Sequence, residues 1–321
     1  MLANWCTPLS HLRSAEFVEG IGMATVLITG TSSGIGLATA LELGRAGHKV
    51  FATMRNPTRA PELGERASAE GLPISILTMD VDSDRSVSAC FAAVYRQDER
   101  IDVLVNNAGV ERHGSIEELS MADIRATMET NYFGALRCIR EVLPQMRERR
   151  SGCIVNVTSV AGKIASSPLG AYAASKFALE AVSEALAQEM KPFGVRVAIV
   201  EPGIIDTPMA HAIDSPPPSR YRQPRHMAAL FQASLEHPAP PSIVATSIRT
   251  VIASGTWKLR HPAGPDAELF LAWRAAMTDE QWIDFNALDT ESFRKRVKND
   301  FGLDLKLLAE DAPRAFRTAA D

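Results

Sequence analysis

Residues 29–36 read Thr-Gly-Thr-Ser-Ser-Gly-Ile-Gly, directly after the apolar run ATVLI at 24–28. Two chemistries fit this stretch. Gly30-Thr31-Ser32-Ser33-Gly34 matches G-x-S-x-G, the nucleophile elbow of a serine hydrolase. Gly30, Gly34 and Gly36 match a strand–turn–helix that seats a phosphate, where backbone N–H groups and the positive end of a helix dipole converge. An elbow needs a glycine-rich oxyanion loop upstream, and an acid and a histidine downstream. Here the elbow would follow the first strand, so nothing upstream supplies that loop. His113, His211, His226, His237 and His261 lie downstream, but none sits in a strand-end context that singles it out. The spacing G-x-x-x-G-x-G also departs from the usual G-x-G-x-x-G fingerprint. A turn of this kind can be purely structural, so its surroundings must decide.

Working outward, strand-like and helix-like segments alternate from Ala24 to about Arg260. ATVLIT, KVFAT, PISILTM, DVLVNN, GCIVNVTS and VRVAIVEP read as six strands, each a short apolar run. Helical spacing falls between them at about 35–46, 84–97, 123–149 and 171–191. Gly47 stops the first of these helices. The pattern predicts an α/β fold: a doubly wound, Rossmann-type parallel sheet in three layers, α/β/α. Strands buried on both faces explain the unbroken apolar runs. Ligands belong beyond the strands' carboxyl ends.

After Pro202 the texture changes. Residues 204–241 carry DSPPPSRYRQPRH and EHPAPP. Proline resists helix, so this reads as an irregular excursion with a short helix near 227–235. It is either an apolar substrate lid, offering Met209, Ile213, Tyr221, Met227 and Phe231, or a poorly ordered insert. PSIVATSIRTVIAS at 241–254 is helical and KLRH at 258–261 is a short last strand. Residues 265–321 form a helical extension packed on the domain. Thr278-x-x-Gln281 is a capping box there, Gly302 a stop, and the end at 312–321 frays. Residues 1–22 read as an extension outside the core domain of 23–264.

The bulk properties are ordinary. The chain has 321 residues, 46% of them hydrophobic, and a net charge of −4. That charge gives no reason to expect nucleic acid or an anionic membrane as partner. Cys6, Cys90, Cys138 and Cys153 are far apart. No C-x-x-C spacing suggests a metal site, and reduced thiols in a cytoplasmic protein are expected. No apolar run approaches the roughly 20 residues of a membrane span.

Further residues fall at predicted strand ends. Asn106-Asn107-Ala108-Gly109 ends the fourth strand and Ser159 the fifth. Tyr172-Ala-Ala-Ser-Lys176 follows, and Pro202-Gly-Ile-Ile-Asp-Thr207 comes after the sixth strand. Tyr172 and Lys176 share a helix face. A phenol ionises near pH 10, too high for a base at neutrality. A nearby ammonium is expected to stabilise the phenolate; three pKa units would be roughly 4 kcal/mol. That would make Tyr172 a general acid/base.

With these residues in this order, the chain resembles the short-chain dehydrogenase/reductase family. The resemblance covers 24–207 closely and thins beyond. It implies an NAD(P)-dependent oxidoreductase in which Tyr172 transfers the proton. Lys176 would hold the nicotinamide ribose, Ser159 would position the substrate oxygen, and Asn131 would hold a water in a proton relay. The resemblance further implies that Gly30, Ser32, Ser33, Gly34, Ile35 and Gly36 seat the pyrophosphate and ribose. Asp80 and Val81 would meet the adenine; Asn107, Ala108 and Gly109 the adenosine ribose. Pro202, Gly203, Ile204, Ile205 and Thr207 would meet the nicotinamide carboxamide. No metal is implied. Family habit makes helices 123–149 and 171–191 the contacts of a homodimer or tetramer, although the C-terminal extension could cover tetramer surfaces.

Cofactor choice turns on the end of the second strand. An NAD site generally places Asp or Glu there. Met54 and Arg55 stand there instead, and an arginine suits a 2′-phosphate. NADP(H) is therefore the expected preference, with NAD(H) possible. VFATMRNP and the stretch around Tyr172 are similar to the 17β-hydroxysteroid and retinol dehydrogenase branch, which implies a lipophilic alcohol or ketone. Arg220, Arg222 and Arg225 keep a smaller acidic keto or hydroxyacyl substrate open. A non-catalytic NADP(H) sensor is a further alternative, disfavoured by the complete Ser159, Tyr172 and Lys176 set.

Overall fold

The computed structural model describes residues 22–306, apart from 215 and 217. The ends expected to extend and fray, at 1–21 and 312–321, lie outside the described residues. Seven parallel strands form one sheet: β1 (Thr25–Thr29), β2 (Lys49–Met54), β3 (Ile74–Thr78), β4 (Val103–Asn106), β5 (Gly152–Val157), β6 (Val195–Pro202) and β7 (Arg260–Ala263). Their order is β3-β2-β1-β4-β5-β6-β7. The order reverses between β1 and β4, which pair with Leu27 opposite Leu104. That reversal opens a crevice beyond their carboxyl ends.

Alternation along β1 builds two cores. Val26 and Ile28 point to one face, where α1 (Gly34–Arg45) and α9 (Pro241–Ser254) pack. Leu27 points to the other, against α3 (Asp84–Gln97), α5 (Ala135–Arg149) and α6 (Gly170–Met190). Phe51, Leu27 and Leu104 are fully buried, each contributing about 1.5–3 kcal/mol of transfer free energy.

Four readings need revision. The helix expected at 123–149 opens earlier, at α4 (Met121–Met128), because the Ser120 hydroxyl accepts from Asp123 N–H at 3.0 Å. It then passes through a π-helical turn, Glu129–Gly134, before α5. Apolar periodicity does not register one residue added to a turn. A helix not anticipated, α2 (Glu62–Ala69), links β2 to β3 and buries only Leu63 and Ala67. The excursion after Pro202 holds two helices, α7 (Pro208–Ile213) and α8 (Gln223–Leu235), each with proline in its first turn, where no intrahelical N–H is lost. Finally, β7 starts two residues later than the KLRH reading.

The C-terminal segment folds as α10 (Ala267–Ala275), α11 (Asp279–Ala287) and α12 (Thr290–Phe301). The Thr278/Gln281 capping box is formed, and Gly302 ends α12 at φ 71°. These helices and α8 share a third core of Ala229, Phe285, Phe293 and Val297. Among the described residues, no helix is long and apolar enough to cross a membrane.

Candidate active site

The opening stretch forms the floor of the crevice. Gly30 sits at φ +71°, and a Cβ there would lie 2.6 Å from Ala108 Cα. A Cβ on Gly36 would lie 2.1 Å from the Gly30 carbonyl oxygen and 2.4 Å from Asn107 Nδ2. Only glycine lets the β1 turn, the β4 turn and the start of α1 meet this closely. The first turn of α1 has neither a capping side chain nor an acidic residue. Its N–H groups are therefore left to face an anion.

The β4 turn is braced from β1. The Thr29 hydroxyl accepts from Asn107 N–H at 3.0 Å and Ala108 N–H at 2.9 Å. Asn107 Nδ2 donates to the Thr29 and Gly30 carbonyls at 3.0 and 2.9 Å. The Asn107 side chain thus holds the glycine turn in place, and only its neighbourhood is left for a ribose. Thr29 was missed in the sequence because a strand threonine carries no distinguishing signal.

One cavity of about 370 Å³ runs from this floor to the C-terminal helices. Every residue expected to hold the cofactor, from Gly30 to Thr207, lines it, as do Ser159, Tyr172 and Lys176. Arg55 lines it as well, as do Asp80 and Asp82. Asn131 is the exception: it is buried behind the wall. Its Oδ1 accepts from Val110 N–H at 2.8 Å, and its Nδ2 donates to Val110 O and Ser175 Oγ, both at 2.9 Å. These bonds let Asn131 brace the wall from within the π turn.

Ser159 Oγ accepts from Ala161 N–H at 3.1 Å and so also caps a short 3₁₀ turn. Burial pushes the Tyr172 phenol up to about 12; a hydrogen bond from Ser159 opposes this, and the Glu111 charge adds to it. Burial likewise pushes the Lys176 ammonium down to about 8. Its Nζ donates to Val157 O at 3.1 Å and sits 5.6 Å from the Tyr172 ring centroid. Desolvation of both groups opposes the expected lowering of Tyr172 by Lys176.

The cavity's outer walls are apolar. Met209, Ile213, Met227, Leu230 and Phe231 come from the excursion; Phe270, Trp273, Trp282, Phe285 and Phe293 come from α10–α12. Tyr221 does not join them: its hydroxyl donates to Glu117 on the surface. Arg220, Arg222 and Arg225 also stay outside the wall. The aromatic wall from α10–α12 was not legible beforehand. Asp266 ties the start of α10 to the post-β6 loop, its Oδ2 accepting from Ile204 N–H at 2.9 Å.

Comparison with known proteins follows this geometry. The family description "short chain dehydrogenase" matches residues 24–217. Retinol dehydrogenase 8 of Bos taurus is 44% identical over 188 residues, 57% of this chain and 59% of that protein. Estradiol 17-beta-dehydrogenase 1 of Rattus norvegicus is 37% identical over 221 residues, 66% of this chain and 64% of that protein. The chain thus spans under two thirds of the length of both relatives. A solved short-chain dehydrogenase from Streptomyces avermitilis is 32% identical with a TM-score of 0.69, covering 86% of this chain and 95% of that one. An actinorhodin polyketide ketoreductase variant with NADPH is 30% identical with a TM-score of 0.67, covering 75% and 95%. With the family match running from β1 through β6, this chain belongs to the short-chain dehydrogenase family.

Proposed function

We propose that this protein interconverts a lipophilic alcohol and its ketone or aldehyde using NADP(H). The observation that carries this reading is one cavity lined by an uncapped helix start, by Ser159, Tyr172 and Lys176, and by apolar side chains of the excursion and of α10–α12. When bound, the nicotinamide would supply or accept the hydride. The chain's own groups do the rest. Tyr172, held as a phenol, gives its proton to the substrate oxygen during reduction. Ser159 donates a hydrogen bond to the same oxygen. Lys176 holds the ribose and supplies positive charge where oxygen gains negative charge. Asn131 would hold a water in a proton relay to Lys176. Arg55, with no carboxylate ending β2, supports a 2′-phosphate. The similarity to a retinol dehydrogenase and an estradiol dehydrogenase supports the substrate class. Phe133 and Phe177, exposed beside and on α6, support a homo-oligomer.

The test is NADPH oxidation over a panel of steroid, retinoid and long-chain ketones or aldehydes, with small keto acids included. Turnover is expected for lipophilic members, with kcat/KM higher for NADPH than for NADH. Activity confined to small keto acids, preference for NADH, or cofactor binding without turnover would each overturn part of the reading.

A further inference from the structure

The segment after the β4 turn reads Val-Glu-Arg-His-Gly-Ser-Ile-Glu-Glu, 110–118. It puts a carboxylate into the cavity lining near Tyr172. The Glu111 side chain is 3% exposed and lines the cavity. Its Oε2 is held by His113 Nδ1 at 2.9 Å. Its Oε1 is buried and has no hydrogen-bond partner among the described residues. The adjacent arginine does not fill that role: Arg112 turns to the Glu111 carbonyl and to Asp123. His113 is itself largely buried, with Nε2 unpartnered among the described residues. An ion pair that merely tied the loop together would have no need of a carboxylate oxygen beside a cavity. A buried acceptor left open is costly, and a ligand that donates to it recovers that cost.

Glu111 also stands close to the chemistry. Val110 is clamped on both sides by Asn131. The Gly109 backbone passes Lys176, whose Nζ would lie 3.6 Å from a Cβ there. Gly114 N–H donates to Pro168 O at 3.0 Å, pinning the loop to the turn that precedes Tyr172. The charge of Glu111 is felt at the Tyr172 phenol.

We propose that Glu111, positioned by His113, is a specificity determinant: the preferred substrate is a lipophilic carbinol or ketone bearing a second hydrogen-bond donor, a hydroxyl or a protonated amine, near the reacting carbon. This inference rests on the oxidoreductase reading above. Glu111 accepts from the donor and does not take part in hydride or proton transfer. A hydrocarbon-only substrate would leave Oε1 open in the complex. A site that hydrogen-bonds a substrate group discriminates against its absence far more strongly than an apolar pocket discriminates by size.

The experiment compares kcat/KM for three matched lipophilic alcohols: a mono-alcohol, its vicinal diol and its vicinal amino alcohol. They are tested on the wild-type enzyme, Glu111→Gln and Glu111→Leu. The wild type should favour at least one donor-bearing member over the mono-alcohol by about 10-fold or more. Glu111→Leu should bring that ratio close to one. Glu111→Gln, which keeps an acceptor but no charge, should keep preference for the diol and lose it for the amine. A ratio near one in the wild type, or a preference that survives in Glu111→Leu, overturns the proposal. Should Glu111→Leu fail to fold, an unchanged amine preference in Glu111→Gln overturns the amine arm and an unchanged diol ratio in His113→Asn overturns the positioning by His113. Turnover of none of the three by the wild type would instead sink the underlying oxidoreductase reading.

Discussion

Acidification should loosen the helices that wall the cavity, through a single histidine. His226 on α8 is buried, stacks on Phe293 of α12 at 4.4 Å, and meets Thr290 Oγ1 at 3.2 Å. Burial, with Arg222 and Arg225 nearby, pushes its pKa down from 6.5 to about 4. The unfolded chain therefore binds this proton more readily than the folded one. Stability from the neutral ring is complete above pH 6.5 and is lost as pH falls through the folded pKa near 4. Linkage gives a loss of about 1.4 kcal/mol by pH 5.5 and about 2.6 kcal/mol by pH 4.5, approaching about 3.4 kcal/mol well below pH 4. The assay is urea unfolding at pH 7.5, 5.5 and 4.5, followed by tryptophan fluorescence, since Trp273 and Trp282 sit in the same aromatic cluster. His226→Phe keeps a ring against Phe293 but cannot take a proton. It should cost about 1 kcal/mol at every pH through the orphaned Thr290 hydroxyl. Carboxylates titrate in both proteins, so the wild-type loss minus the variant loss isolates His226. A difference below about 0.5 kcal/mol between pH 7.5 and 4.5 would refute the argument.

Three further outcomes are expected. Tyr172→Phe should lower kcat by about 1,000-fold while changing the NADPH dissociation constant less than about 3-fold; retained turnover would remove Tyr172 from the proton step. Gly36→Ala drives a Cβ onto the Gly30 carbonyl and Asn107 Nδ2. It should cost about 2 kcal/mol net of helix propensity and weaken NADPH binding at least about 10-fold; urea unfolding and fluorescence titration would read both, and wild-type binding would contradict the cradle. Arg55→Asp should move the kcat/KM ratio towards NADH by about 10-fold or more, and an unmoved ratio would leave cofactor choice to other residues.

The parallel sheet, its two cores and the loops at its carboxyl ends were readable from residue order. Strand burial writes an unbroken apolar run, and a glycine turn after the first such run has few uses. Ser159, Tyr172 and Lys176 could be read for the same reason: each sits at a fixed offset from a strand end. Local pattern ceased to inform where contacts were made at long range. Position in the chain does not show that the Asn131 amide braces Val110 and Ser175. Burial opposes the acidification expected of Tyr172, and burial depends on everything packed around the pair. Arg220, Arg222 and Arg225 looked like an anion site and remain outside the cavity, while Phe270, Trp273 and Trp282 arrive from a later segment to wall it. Periodicity along the chain encodes which residues are buried. Which residues they are buried against, and which polar atoms are left open as at Glu111, is decided only when distant segments meet.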